Sequence, residues 1–409
     1  MNERRVGVRT RPCPICGQAV TDTLFTQRFV LPEGHPLQDG YQILFCSGCD
    51  LGFASPVPDQ SAFDRYYKEL SKYSSVSVTS GSGVQPWDRD RLDAMARRLA
   101  AFARARGGAS IADIGCGSGG SLPHYASAGF TTVFGVDPSA ACVRAASALM
   151  ETHGVSGGAV QGTFGSLPGE IEHADAYVLS HVLEHVRDVS HALRSLWAIA
   201  HESSLLYVEV PDASRFADFP ASPLLEFNTE HINYFSVHSL CEAITAAGWG
   251  VVASGRDIIP NGPCTQYPTA WVVAERETSR ARTVESGFFR SELVRYIQQD
   301  ASRIQRIETC LRRDPIVGPV AVWGTGQTTA ILLANSSLGT TDIRAFVDSD
   351  PRFVGRKIHG APVVPVEFIR DHPDWTIFIS SVLAESSIRT TIRQNSLTNR
   401  IVSLAELLA

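Results

Sequence analysis

Asp113-Ile114-Gly115-Cys116-Gly117-Ser118-Gly119 is the stretch whose reading decides the fold. A strand predicted over residues 109–114 runs into it and a helical pattern follows, so the chain must turn from strand to helix within a few residues. Glycines at 115, 117 and 119 remove the Cβ atoms that keep backbone amides away from a ligand. Downstream, Val133-Phe134-Gly135-Val136-Asp137 reads as a second strand with an acid at its carboxyl end. Asp137 follows Gly117 by about twenty residues, the spacing at which a carboxylate accepts hydrogen bonds from both hydroxyls of a ribose. The turn therefore belongs to a nucleoside-binding sheet, and by itself it does not separate a dinucleotide from another nucleoside.

Outward from the turn, apolar residues at three- and four-residue steps (Leu92, Met95, Ala96, Leu99, Phe102) predict a helix over residues 88–105. Strand-like runs at 132–136, 176–179, 205–210, 250–253 and 270–274 alternate with amphipathic segments, the pattern of a doubly wound, mostly parallel sheet. A long amphipathic helix follows, with Phe289, Leu293, Tyr296, Ile297, Ile304, Ile307 and Leu311 on one stripe, and is expected to pack between domains. Beyond Pro315 and Gly318-Pro319 the chain restarts as strand 320–323, turn Gly324-Thr325-Gly326, a helix, and strand 344–347 ending at Asp348. Thr329 stands where a third glycine belongs, so this second, smaller Rossmann-like domain is read as degenerate and not as a working NAD site. The expected class is α/β, with a zinc-ribbon-like segment at 1–75, the main Rossmann-like domain at 76–280, and a linker helix with the second domain at 281–409.

The 409 residues carry a formal net charge of -6, with no dense Lys/Arg stripe, which argues against nucleic acid or an anionic membrane as partner. Met1-Asn2-Glu3-Arg4-Arg5 opens no signal-peptide pattern, and no run approaches the roughly 18 to 20 apolar residues of a membrane span. A cytoplasmic protein acting on a small molecule is the expectation. The oligomeric state is not encoded in these features.

Cys13-Pro14-Ile15-Cys16 and Cys46-Ser47-Gly48-Cys49 form two knuckles separated by 29 residues, 17 to 45. Each pair can turn two thiolates toward one ion, and four sulfurs complete a tetrahedral zinc shell with no open position for chemistry. The surrounding segment has little apolar material, so ion binding must supply much of its folding energy.

The turn resembles the first motif of class I S-adenosylmethionine-dependent methyltransferases, with Asp113 two residues before the first glycine. The run Gly135-Val136-Asp137-Pro138-Ser139 and the run from Asp175 through Ser180, His181, Glu184, His185 and Asp188 are similar to two later motifs of that family. The resemblance implies S-adenosylmethionine as cofactor, bound by Asp113, Gly115, Gly117, Asp137, Phe164 and Ser180. Asp113 has two readings of equal weight, a cap for the turn and a neighbour of the methionine ammonium. Phe164 has two as well, an adenine stack and a core side chain.

The connection after the strand at 205–210 contains Glu226-Phe227-Asn228-Thr229-Glu230-His231-Ile232-Asn233-Tyr234-Phe235-Ser236, and in a doubly wound sheet it lies at the carboxyl ends of the strands. Together with the cysteine knuckles and the second Rossmann-like segment, it makes essentially the whole chain resemble the nucleotide-sugar C-methyltransferases of deoxysugar pathways, in antibiotic biosynthesis. There, a proton is lost beside the carbonyl of a keto-sugar nucleotide and the enolate takes a methyl group from the sulfonium. The resemblance implies His231 as base, Glu230 as its orienting acid, and His181 as the group that holds the substrate or its developing oxyanion. A histidine titrating near 6.5 suits proton removal at neutral pH. His185 is read as a cap or packing residue as readily as a functional one. A tyrosine-rich stretch with Tyr66, Tyr67 and Tyr73 is expected to close over the sugar, with Tyr67, Tyr73 and Asn228 touching substrate.

Asn228 departs from that family, which commonly places a tyrosine there, and it cannot act as a phenolic acid or base. An O- or N-methyltransferase for another glycan or small metabolite therefore stands as the alternative, and a zinc-stapled binding protein that keeps only the cofactor fold as a third.

Overall fold

The computed structural model describes residues 10–69, 86–104, 107–261, 265–276 and 288–409. By contact the chain forms two compact units. The first is Met1–Thr23, Ile43–Phe219 and Glu230–Leu293; the second is Leu24–Gln42, Pro220–Thr229 and Val294–Ala409. These differ from three consecutive segments: the chain leaves the first unit in β1 (Thr23–Arg28), returns within β2 (Gly40–Cys46), and makes a second, ten-residue excursion at Pro220–Thr229.

In the first unit, β3 (Leu51–Ser55), α1 (Gln60–Glu69) and α2 (Pro86–Arg104) lead to the central sheet. From β4 (Ser110–Ile114) the chain runs outward through α3 (Leu122–Ala128), β5 (Thr132–Asp137), α4 (Ala140–Thr152) and β6 (Gly157–Gln161). It then crosses back to the other side of β4 with β7 (Ala176–Ser180), α5 (Val189–Ile199) and β8 (Leu205–Pro211). After the short β9 (Asn233–Tyr234) and α6 (Val237–Ala246), β10 (Gly250–Pro260) and β11 (Gln266–Glu275) close one edge. The seven-stranded order is β10-β11-β8-β7-β4-β5-β6. Pairing is parallel from β6 to β8 and antiparallel at β11 and β10. The winding reverses between β4 and β7, so a crevice opens at their carboxyl ends, where ligands of such sheets bind.

Strands β7 and β8 are buried along nearly their whole length because helices cover both faces of a parallel sheet, which explains the apolar runs Ala176–Leu179 and Leu205–Val208. The stripe Leu92, Met95, Ala96 and Leu99 of α2 is buried against one face, as its spacing predicts. Helices α4 and α5 start on side-chain caps: Ser139 accepts from the Cys142 N–H and Asp188 from the His191 N–H. The sequence shows only parts of β10 and β11. They form a hairpin registered from Gly250 opposite Glu275 to Pro260 opposite Gln266, and its outer half was hidden by Ser254, Arg256 and Asp257, polar residues on an edge strand.

Cys13, Ile15, Leu44, Cys46, Cys49, Leu51 and Phe53 share one apolar core with Leu179, Val208 and Phe235 of the sheet domain. The cysteine segment, poor in core of its own, is thus stabilised by burial against the sheet as well as by whatever its sulfurs bind.

The second unit takes most of α7 (Phe289–Arg313), then β12 (Pro319–Trp323), α8 (Gln327–Asn335), β13 (Asp342–Val347), β14 (Lys357–Ile358), β15 (Ala361–Val364), β16 (Thr376–Ile379), α9 (Glu385–Gln394) and β17 (Ile401–Ser403). Its order is β14-β15-β13-β12-β16-β17, parallel except for β14. Thr329, in place of a third glycine, donates its hydroxyl to the Gly324 carbonyl at 2.8 Å and contacts Ser380 Oγ at 2.6 Å. Asp348 accepts the Thr325 N–H at 3.2 Å.

Candidate active site

At the carboxyl end of β4 the glycine turn has the backbone its sequence requires. Gly115 has φ 80°, and a Cβ there would meet Val182 Cγ2 at 2.6 Å. Gly117 has φ 54°, and a Cβ there would point into open space, so the peptide is bare where a ligand approaches. Asp137 joins turn and second strand: its carboxylate accepts the Gly117 N–H at 3.0 Å and the Ser139 N–H at 2.8 Å. Burial raises its pKa, and those two amides oppose the rise. Asp113 is buried and accepts from the hydroxyls of Ser121, the residue before α3, and of Tyr125. Burial lifts its carboxyl to about 6 against the pull of those hydroxyls. Phe164, just past β6, is half-buried and packs on the main core. Ser180 ends β7 with its hydroxyl 3.5 Å from Glu209 Oε1.

His181 follows with φ 56°, a left-handed conformation uncommon for a side chain of its size, and donates its backbone N–H to the Glu209 carbonyl. Its Nδ1 lies 3.3 Å from Glu184 Oε1 and its Nε2 3.6 Å from Glu209 Oε1. Burial disfavours the imidazolium, but the two carboxylates outweigh it and raise the pKa to about 9. Glu209 is itself buried, which works against ionisation; His181 and Arg91, whose Nη1 is 3.2 Å away, bring it down to about 2. The two carboxylates thus favour the imidazolium form of His181.

The ring that meets His231 is that of His185, with centroids 4.9 Å apart and planes at 66°. His185 Nδ1 is 3.1 Å from the Glu230 carbonyl, which orients Nδ1–H toward the backbone and leaves Nε2 facing Glu184 Oε1 at 3.8 Å. Glu184 is 1% exposed, neither of its carboxylate oxygens is hydrogen-bonded, and the nearest cationic partner to it is His181, with Nδ1 at 3.3 Å. One ligand atom each from Glu184, His185 and His231 lies within 4.8 Å of the others, a spacing that suits a proton relay or a cation. Glu230 is buried, and its Oε1 accepts the Tyr66 hydroxyl at 2.7 Å. Tyr67 stands edge-on to Tyr66 (5.4 Å) and to His185 (6.2 Å). Tyr73 lies outside the described residues. Asn228 falls in the second unit, where its carbonyl accepts the Tyr41 hydroxyl at 2.6 Å and its Nδ2 donates to the Leu225 carbonyl at 3.1 Å.

Backbone bonds hold the two histidine segments together. The Ile232 N–H donates to the Glu184 carbonyl at 2.8 Å, and Asn233 Nδ2 donates to the Leu183 and Val186 carbonyls at 2.7 and 2.8 Å. Asn233 and Tyr234 also pair antiparallel with Phe53 and Gly52.

The sulfurs of Cys13, Cys16, Cys46 and Cys49 all lie within 4.8 Å of one another, and Cys16 Sγ is 3.8 Å from Cys46 Sγ. A tetrahedron with metal–sulfur bonds of about 2.3 Å has edges of about 3.8 Å, so the donor set fits a single four-coordinate ion. The thiol of Cys49 holds Cys13 down to about 5, whereas burial lifts Cys46 to about 11 and the bond to Cys13 lifts Cys49. Four thiolates cannot coexist here without a cation.

Residues 87–254 match a family described as a methyltransferase domain. The chain carries a class I S-adenosylmethionine-dependent methyltransferase domain. Its sheet order, glycine turn and paired acids are the framework of that domain, and the protein is an enzyme of that class. Among solved structures it is similar to magnesium protoporphyrin IX methyltransferase (ChlM) from Synechocystis PCC 6803 with bound SAH, at 17% identity over 54% of this chain and 100% of that one, TM-score 0.39. It is similar to the PH0226 protein of Pyrococcus horikoshii OT3, at 14% identity over 51% and 100%, TM-score 0.40. It is also similar to the [4+2]-cyclase SpnF, at 17% identity over 45% and 81%, TM-score 0.35. No curated protein matches the chain. Among the described residues no helix is long and apolar enough to cross a membrane.

Sequence reasoning gave Glu184 no role, left His185 evenly divided between packing and function, and named Tyr66 without its partner. His185 and Glu184 sit in a short 3-10 turn after β7, where a histidine reads as a cap; only the return of the chain at 230–233 shows what they face. Tyr66 had a signal, its tyrosine-rich neighbourhood, but not its partner Glu230, 164 residues away.

Proposed function

We propose that this methyltransferase forms a carbon–methyl bond on a keto-sugar nucleotide, with His231 as the base that generates the enolate and zinc as the ion of the four cysteines. The observation that carries the reading is the pairing of His231 with His185 beside a buried carboxylate, at the carboxyl ends of β7 and β8.

The glycine turn, Asp137 and Asp113 fit the donor, and S-adenosylmethionine supplies an electrophilic methyl group when bound there. The chain's own residues prepare the acceptor. His231 takes the proton from the carbon beside the carbonyl, and positioned base catalysis of this kind contributes about 10² to 10⁴ in rate. His185, oriented by the Glu230 carbonyl, passes positive charge toward Glu184, so an imidazolium at His231 is stabilised as it forms. The Tyr66 hydroxyl holds the Glu230 carboxylate in place. His181, held cationic between Glu184 and Glu209, offers a fixed positive charge to an oxyanion.

The test is to incubate the protein with methyl-labelled donor and a panel of nucleoside-diphosphate keto sugars, then locate the label. A methyl group on the carbon next to the carbonyl supports the proposal. Label on oxygen or nitrogen instead favours the second reading, an O- or N-methyltransferase, which Asn228 in place of a tyrosine keeps in view.

A further inference from the structure

The polar train joining the two histidine segments does not end at Asn233. Arg11, two residues before the first cysteine knuckle, is 5% exposed and turns its guanidinium inward. Its Nη1 donates to the Ile232 carbonyl at 3.3 Å and its Nη2 to the side-chain oxygen of Asn233. The other end of that amide, Nδ2, donates to the carbonyls of Leu183 and Val186. One side chain, Asn233, thus bridges the loop bearing His231 and the turn bearing Glu184 and His185, and Arg11 fixes which way its amide faces.

Arg11 is in turn held from behind. Its own N–H donates to Ser55 Oγ at 2.8 Å, the Ser55 hydroxyl donates back to the Arg11 carbonyl at 3.4 Å, and its guanidinium lies 5.8 Å from the Phe53 ring centroid. Phe53 and Ser55 belong to β3, the strand that pairs with Asn233 and Tyr234. Both terminal nitrogens of this buried guanidinium are matched while its Nε is buried without a partner, and an apolar side chain would serve the core better if packing were its whole purpose.

We propose that Arg11 is a positioning residue: acting through Asn233, its guanidinium sets the spacing of the His185 and His231 rings. It touches no reacting atom. The inference rests on the reading of His231 as catalytic only for its effect on rate; its geometric content stands apart from the acceptor.

Carbon-13 NMR of the protein labelled at histidine tests it without knowledge of the substrate, the His185 and His231 signals being assigned from His185→Gln and His231→Gln. In Arg11→Met the two signals shift or broaden while those of the other ten of twelve histidines stay, and donor affinity by calorimetry remains within about twofold of wild type, because the glycine turn is untouched. Arg11→Lys, with one donor group in place of a fork, gives a smaller shift of the same two signals. With an acceptor in hand, kcat falls about 10- to 100-fold in Arg11→Met at unchanged donor KM, as expected when a base is displaced by about 1 Å. Added guanidinium ion restores part of it in Arg11→Ala, whereas equal sodium chloride does not. If Arg11→Met or Arg11→Lys folds with both signals where they are in the wild type, the inference is overturned. Loss of activity with unmoved signals overturns it also, and leaves the methyl-transfer reading intact. Failure of every keto sugar to react, with the two signals displaced, sinks that reading and leaves this one.

Discussion

The imidazole rings of His185 and His231 lie 4.9 Å apart although 45 residues of chain separate them, and the first donates its Nδ1–H to the Glu230 carbonyl. His185→Gln and His231→Gln each lower the rate of methyl transfer by about 10² or more, and the double variant loses little beyond the worse single one, because residues acting as a unit are not additive. Single-turnover rates for the three proteins, with donor affinity as control, check this.

Tyr66→Phe deletes the hydroxyl that Glu230 accepts at 2.7 Å. A hydrogen bond to a charged group contributes about 1.5 to 3 kcal/mol, so the variant loses about 10- to 100-fold in kcat/KM. Steady-state kinetics of wild type and variant side by side, with donor affinity as control, read the loss.

Stability should depend on pH through His181 with a definite sign. Its pKa rises from 6.5 unfolded to about 9 folded, so its contribution is fully present below 6.5 and disappears as the pH rises through 9. Glu209, lowered to about 2 from 4.5, contributes above 4.5 and is lost as the pH falls toward 2. Denaturant unfolding should show stability falling between pH 6.5 and 9, and His181→Gln should flatten that slope while leaving the acid limb from other carboxylates.

Gly115→Ala puts a Cβ 2.6 Å from Val182 Cγ2 on a backbone at φ 80°. Strain and crowding together cost about 1 to 3 kcal/mol, and donor binding weakens because the turn shifts. Thermal unfolding and donor calorimetry on one sample separate the two effects.

Metal analysis should return about one zinc per chain, and a strong chelator should lower the unfolding temperature as it removes the ion. Cys16→Ser should lower the zinc content sharply. A metal-free protein that unfolds at the same temperature as the loaded one contradicts the four-sulfur shell.

The sheet and its donor end were legible in the sequence because their signals are local: Gly115, Gly117 and Asp137 lie within about twenty residues and must obey backbone geometry wherever they occur. The acceptor side was only half legible. Glu230 and His231 stood out in their loop, and His181 was named beside them, but the contact of His185 with His231 was hidden, since only the reach of residues 230–233 back to Glu184 and Leu183 brings those two rings together. The excursions at Leu24–Gln42 and Pro220–Thr229 were hidden for the same reason: grouping by contact is a property of the folded chain, not of composition along it.

The most direct test of His231 as the base is proton exchange uncoupled from methyl transfer. With S-adenosylhomocysteine in place of the donor, in deuterated water, the wild-type protein should exchange the proton beside the carbonyl of its keto-sugar substrate, followed by NMR, and His231→Gln should slow that exchange by about 10² or more. Exchange that proceeds equally well without His231, or a wild type that methylates its acceptor with no exchangeable carbon-bound proton, would contradict the account.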